Sequence, residues 1–193
     1  MSHIITNQRK AEAKIYDMFL ERWSPRAFLP DPIAADDIQS LFEAARWAPS
    51  CFNEQPWLFL YAHSDDARKR FLSLLTEKNQ KWAANAPLLI FLLTTRAFKL
   101  SGKKNRHAPL DAGAAWVSLA FQARKLGLFA HAMAGFDEKK SYGVLGVSEA
   151  EYEVMAAIAV GKLGDPAQLA EDFRSKEFPN SRKPLREISI AVS

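Results

Sequence analysis

Cysteine is almost missing from this chain: Cys51 is the only one in 193 residues, so neither an internal disulfide nor a thiolate metal cluster can form. No Ser-His-Asp set, no carboxylate pair at catalytic spacing and no His/Asp/Glu cluster with metal-ligand spacing stands out. Gly-x-Gly-x-x-Gly does not occur, which removes the support for a Rossmann dinucleotide site. Long apolar runs are absent as well; nothing approaches the ~20 residues needed to span a bilayer. Met1-Ser2-His3-Ile4-Ile5-Thr6-Asn7 lacks the basic segment and apolar run of a secretory leader, so a cytoplasmic protein that meets no membrane is expected. Charge of one sign is scarce too, at a net +4. Its local excess lies at Lys99, Lys103, Lys104 and Arg106, and again at Arg174, Lys176, Arg182, Lys183 and Arg186. Neither cluster is interleaved with aromatics as in a single-strand binder, so no nucleic-acid partner is expected. What is present is ordinary globular composition, 48% hydrophobic and 25% charged. The length suits one domain over residues 1–193, able to bury roughly 70% of its unfolded surface.

Hydrophobic periodicity places a helix over residues 8–21, with Ala11, Ile15, Met18 and Phe19 on one face, ending near Arg22 because of Pro25. A second helix runs from about Ala34 to Trp47 with Ile38, Leu41, Phe42 and Ala45 buried, Asp36 and Asp37 at its start and Pro49 after it. Trp57 to Tyr61 reads as a strand and 65–76 as a helix. The continuous apolar run Leu88 to Leu93 reads as a strand buried on both faces. Residues 96–109, polar and basic around Gly102, read as a mobile loop. Asp111 to Leu126 is apolar on nearly all sides and stops at Gly127, as a central buried helix would. Phe129 to Ala134 and Val154 to Val160 complete the strands. Helices alternating with strands indicate a layered α/β or α+β domain, with strand order left open.

Two segments carry most of the polar information. In Arg22-Trp23-Ser24-Pro25-Arg26-Ala27-Phe28, proline pushes Ser24 toward extended geometry. Alternate side chains of an extended segment share a face, so Arg22, Ser24 and Arg26 converge as an anion site would require. Alternatively they form a surface arginine pair before a turn. Pro49-Ser50-Cys51-Phe52-Asn53-Glu54-Gln55-Pro56-Trp57 leads into the first strand, and its Gln55 is likewise expected to be extended.

These segments resemble those of the FMN-dependent nitroreductase family. The resemblance continues through Asn79-Gln80-Lys81-Trp82-Ala83, Asp111-Ala112-Gly113, His131 to Asp137, Ala159-Val160-Gly161 and Arg182-Lys183-Pro184-Leu185. It implies an α+β fold, a three-layer α-β-α sandwich around a mostly antiparallel sheet. It also implies an intertwined homodimer with FMN at the interface. The implied activity is an FMN-dependent oxidoreductase taking electrons from NADH or NADPH. A small-molecule electron acceptor, a nitroaromatic, quinone or similar electron-poor compound, would be reduced by a ping-pong mechanism. Relatives with other flavin chemistry (enoate reduction, dehalogenation, dehydrogenation) and non-catalytic FMN binders are the alternatives.

By resemblance, Arg22, Ser24, Arg182 and Lys183 would hold the flavin phosphate, although Arg182 and Lys183 also read as a solvated basic tail. Arg26 would stabilise the charge a reduced flavin gains near N1 and C2. Asn79 would meet the pyrimidine edge, or serve as a plain turn or cap asparagine. The backbone of Ala134 and Gly135 would approach N5, where close approach tolerates no side chain on Gly135; a strand-ending glycine reads the same way. Pro49, Ser50 and Asn53 would reach the flavin of the other subunit, with Gln55 bracing their loop. Cys51 and His131 receive no catalytic role: a lone thiol has no partner, and a histidine in an apolar strand suits a hydrogen-bonded core position. The chain departs from some relatives at Asn180, in place of a phosphate-binding lysine, and at Ala134, in place of a glutamate.

Overall fold

A computed structural model describes residues 6–192. Four strands, β1 (Trp57–Ala62), β2 (Leu88–Thr95), β3 (Phe129–Met133) and β4 (Tyr152–Gly161), form one sheet in the order β1-β2-β4-β3. Every pairing is antiparallel, with Leu60 opposite Phe91, Phe91 opposite Ala157, and Met133 opposite Ala157. Around the sheet lie α1 (Met18–Glu21), α2 (Ala35–Arg46), α3 (Asp65–Leu72), α4 (Glu77–Ala83), α5 (Ala108–Lys125), α6 (Glu138–Leu145) and α7 (Glu171–Arg174).

The period-2 geometry of β2 explains the layers. Leu88, Ile90 and Leu92 join a core with Ile38, Leu41 and Ala45 of α2 and Ala115, Leu119 and Ala123 of α5. Leu89, Phe91 and Leu93 face the other way, into a core with Leu74, Trp82, Tyr142 and Phe173. Helices therefore cover both faces of the sheet, which makes it the expected three-layer α-β-α sandwich. This also accounts for an antiparallel strand that reads as an unbroken apolar run.

Several local expectations change. Residues 8–17 are not helical, and among the described residues the only helix before Arg22 is Met18–Glu21. Ile15 and Phe19 stay about half exposed at 48% and 49%, so no buried face offsets the cost of helix nucleation. The helix expected over 65–76 stops at Leu72 as α3; Ser73 to Thr76 form a turn, and α4 begins beyond the expected span at Glu77. α4 escapes a periodicity search because Trp82 and Ala83 are its only buried residues. α6 was not expected from the sequence; it is capped by Asp137, whose carboxylate accepts the Lys140 N–H at 3.0 Å, and by Gly146 in the left-handed region at φ 69°. The 96–109 segment is a stitched hairpin rather than a loose loop. Phe98 N–H donates to Lys103 O at 2.9 Å, Gly102 N–H to Phe98 O at 2.9 Å, and Asn105 N–H to Arg96 O at 2.8 Å.

Candidate functional site

The Arg22–Phe28 segment alternates as its sequence requires: Trp23, Pro25 and Ala27 are buried, while Arg22, Ser24 and Arg26 are partly exposed on the opposite side. Its far end docks on the chain leaving β4. Leu29 N–H donates to Lys162 O at 3.0 Å, and Gly164 N–H donates to Ala27 O at 2.9 Å. A Cβ on Gly164 would lie 2.9 Å from the Phe28 carbonyl carbon, so this approach needs glycine. In the middle, the His131 Nδ1–H donates to Pro25 O at 2.8 Å, and the imidazole packs on Trp82 with centroids 4.6 Å apart. Burial lowers the His131 pKa to about 4, with a further push from the positive charges of Arg26 and Arg22 and partial opposition from the Pro25 carbonyl. His131 is thus a neutral brace at pH 7, in keeping with its reading as a core histidine.

Arg22 does not stand alone. Its Nη1 lies 3.5 Å from Ser24 Oγ, and burial together with the charge of Arg182 lowers its pKa. Arg9 completes the group. Its Nη1 donates to Arg22 O at 2.7 Å and Leu20 O at 3.1 Å, and its Nε donates to Asn180 O at 2.7 Å. Its pKa is lowered by burial and by the charges of Arg182 and Arg22. Among the described residues, none of the three guanidiniums has a carboxylate partner. Arg9, Arg182 and Lys183 line a cavity of about 560 Å³ between the amino- and carboxy-terminal segments. A cluster of fixed cations whose own charges oppose each other is relieved by a polyanion such as a phosphate.

Arg26 sits differently. Its Nη1 is 3.7 Å from Oε2 of Glu177, whose side chain is fully buried. Glu177 Oε1 accepts the backbone N–H groups of Arg26 and Ala27, at 2.5 and 2.8 Å. The carboxylate therefore fixes the backbone at Arg26 and partly balances its charge.

On the neighbouring side, Asn79 and Gly135 come together. Asn79 Nδ2 donates to Gly135 O at 3.0 Å, Thr76 N–H donates to the same oxygen at 2.9 Å, and Asn79 Oδ1 accepts the Trp82 Nε1–H at 3.3 Å. A Cβ on Gly135 would lie 2.5 Å from Asn79 Nδ2 and 3.0 Å from Thr76 Oγ1. Packing against Asn79 by itself requires the glycine. Ala134 is exposed beside it.

The remaining predicted residues lie elsewhere. Ala134 and Gly135 leave β3, at one edge of the sheet, whereas Pro49, Ser50, Asn53 and Gln55 enter β1 at the other. Three strand spacings, roughly 14 Å, separate the two edge strands. Within the 50–55 loop, Gln55 N–H donates to Ser50 Oγ at 3.0 Å and Gln55 Nε2 donates to Asn53 O at 2.9 Å. These bonds hold Gln55 in the left-handed region at φ 51°, not extended as expected, with Phe52 and Asn53 at φ 53° and 57°. The Cys51 N–H donates to the buried Asp111 carboxylate at 3.2 Å, tying the loop to the first turn of α5.

Arg9 and Glu177 were missed in the sequence. Their partners lie far along the chain, Asn180 for Arg9 and Arg26 for Glu177, and no short-range spacing marks such contacts. Among the described residues no cluster of His, Cys, Asp and Glu is arranged to hold a metal ion, and no helix is long and apolar enough to cross a membrane.

Comparison with known proteins agrees with this layout. A solved oxidoreductase containing FMN shares 39% identity and superposes with a TM-score of 0.90 over 96% of this chain and 95% of its own. A gut-bacterial enone reductase, CLA-ER, shares the fold at 20% identity and a TM-score of 0.75, over 92% of this chain and 97% of its own. A Streptomyces coelicolor protein named as a candidate NADH dehydrogenase/NAD(P)H nitroreductase is 26% identical over 139 residues, 62% of this chain and 71% of its own. The sequence profile of the Nitroreductase family matches residues 19–81 and 72–162. With the sandwich and the Arg22–Phe28 segment in place, these matches make the chain a member of the nitroreductase family.

Proposed function

We propose that the protein uses FMN and NADH or NADPH to reduce nitroaromatics, quinones or similar electron-poor small molecules. It is an FMN-dependent NAD(P)H oxidoreductase of its family, on the strength of the family match and of the similarity to the FMN-containing oxidoreductase across nearly the whole chain. The observation that carries the reading is the trio Arg9, Arg22 and Arg182, cations with no carboxylate partner among the described residues. That trio fits a phosphate monoester of close to two negative charges.

Arg22, Ser24, Arg182 and Lys183 would hold the phosphate, and Arg9 clamps the two segments that carry them. Arg26, its backbone fixed by Glu177, would place positive charge beside the ring's pyrimidine end. Asn79 would offer its second amide hydrogen to the same edge, and the Ala134–Gly135 backbone would lie against the ring. FMN, when bound, supplies the hydride and electron chemistry. The protein orients it, tunes its charge and leaves one face for donor and acceptor in turn, which is a ping-pong scheme.

Pro49, Ser50 and Asn53, with Gln55 bracing their loop, belong to the opposite sheet edge. Two copies related by a two-fold axis would bring each loop to the partner's Arg22 side, so the working form is a homodimer with FMN at the interface. The reading is tested by following the two half-reactions separately under anaerobic conditions. The bound flavin should be reduced by NADH or NADPH and then reoxidised by a quinone or nitroaromatic without the nicotinamide present. Reoxidation that occurs only in a ternary complex would rule out the ping-pong scheme.

A further inference from the structure

A second cavity, of about 710 Å³, lies at the C-terminal end of β2, between Thr94 and Thr95, the 96–107 hairpin and the first turn of α5. Its wall carries several donors. Asn105 is 3% exposed; its Oδ1 accepts the His107 N–H at 3.0 Å, and its Nδ2 has no hydrogen-bond partner among the described residues. A buried amide donor left unpaired costs stability unless something accepts from it. Lys104 and Arg106 flank Asn105, line the same cavity, and are in no ion pair among the described residues. The 18-residue helix α5 points its N-terminus here, adding the positive end of its dipole. The one acid in the lining, Glu153, is engaged by Arg96 at 3.2 Å, and Arg96 also donates to Tyr152 O at 3.0 Å. Unpaired donor, free cations and helix terminus all call for an acceptor with negative charge.

The hairpin that walls the cavity also contacts the loop assigned to the flavin of the partner copy. A Glu54 carboxylate oxygen accepts the Lys99 backbone N–H, and the Phe52 and Phe98 rings meet edge to face with centroids 6.1 Å apart. One hairpin thus both walls the cavity and contacts residues 50–55.

We propose that this cavity binds the acid group, a phosphate or a carboxylate, of a small molecule that reacts at the flavin, with Asn105 Nδ2 as buried donor and Lys104 and Arg106 supplying charge. The inference rests on the flavin reading above for the identity of the reaction, but not for the existence of the anion site. The ligand is either the nicotinamide dinucleotide, through its phosphates, or an acidic electron acceptor.

The decisive variant is Asn105→Asp, which keeps the oxygen that accepts from His107 N–H and replaces the donor by a negatively charged oxygen that repels an anion; Lys104→Ala/Arg106→Ala, on exposed side chains, is its companion. With FMN-loaded protein, reduction by NADH and NADPH is measured separately from reoxidation by 4-nitrobenzoate and by nitrobenzene. In both variants, at least a tenfold loss of kcat/KM is expected for one acidic reactant. A loss confined to the nucleotides identifies phosphate. A fall in the nitrobenzoate-to-nitrobenzene ratio identifies carboxylate. Unchanged nucleotide reduction together with an unchanged ratio overturns the proposal and leaves the flavin reading standing. If the wild-type chain takes up no FMN, the flavin reading fails instead. Calorimetric titration with pyrophosphate and 4-nitrobenzoate then decides the anion site alone: binding weakened tenfold by Asn105→Asp upholds it, and no binding by the wild type overturns it.

Discussion

At the scale of single residues, Arg22 and Arg9 divide one task. Arg22 presents its guanidinium toward Ser24, while Arg9 uses Nη1 and Nε on the carbonyls of Leu20, Arg22 and Asn180. Arg22→Ala should weaken FMN binding about 10–100-fold, the value of one or two charge-assisted hydrogen bonds. Riboflavin, lacking the phosphate, should be affected less than about threefold. Fluorescence titration of the flavin-free protein with both ligands checks this, and equal losses would contradict a phosphate role. His131 supports the same segment in another way. Because its pKa falls from 6.5 to about 4 on folding, the unfolded chain takes up a proton between those values that the folded chain refuses. Stability is therefore lost as pH falls from 6.5 to about 4, by up to about 3 kcal/mol. Denaturant melts across this range should show that slope in the wild type and a flatter one in His131→Gln.

At the scale of elements, the contact between α4 and the end of β3 locks two predicted site residues together. Gly135→Ala would drive a methyl to within 2.5 Å of Asn79 Nδ2, so it should cost about 1–3 kcal/mol and displace Asn79. Thermal unfolding of Gly135→Ala beside Gly135→Ala/Asn79→Ala measures this, and the double variant should recover part of the loss. Elements whose burial follows a single period were legible in the sequence. β2 showed its unbroken apolar run, and α2 its stripe of Ile38, Leu41 and Ala45. The first arm was misread as a helix because Ala11, Ile15, Met18 and Phe19 have helical spacing but no core to face. α4 was invisible for the opposite reason, burying only Trp82 and Ala83 under a polar surface. The left-handed turn at Phe52, Asn53 and Gln55 overrides the preference of a residue before proline, since Ser50 Oγ and Asn53 O hold Gln55 from both sides. In the candidate site, Arg22, Ser24 and Arg26 were legible through alternation, whereas Arg9 and Glu177 depend on contacts more than a hundred residues distant along the chain.

At the scale of the whole molecule, the sheet order puts Ala134 and Gly135 at one edge and Ser50 and Asn53 at the other. The proposed site draws on both edges through two chains, and this predicts complementation. Arg22→Ala and Asn53→Ala subunits, each impaired as homodimers, should form mixed dimers in which one site carries both defects and the other none. Activity of the purified mixed dimer should approach half that of the wild type; activity no greater than the mean of the two variants would show that both residues act within one chain. The central claim is tested most directly by the visible spectrum of the purified protein during anaerobic titration with NADH and then NADPH. The account predicts bound FMN that bleaches on addition of at least one of the two nicotinamides. A colourless protein that refuses added FMN, or bound FMN that neither nicotinamide reduces, would contradict it.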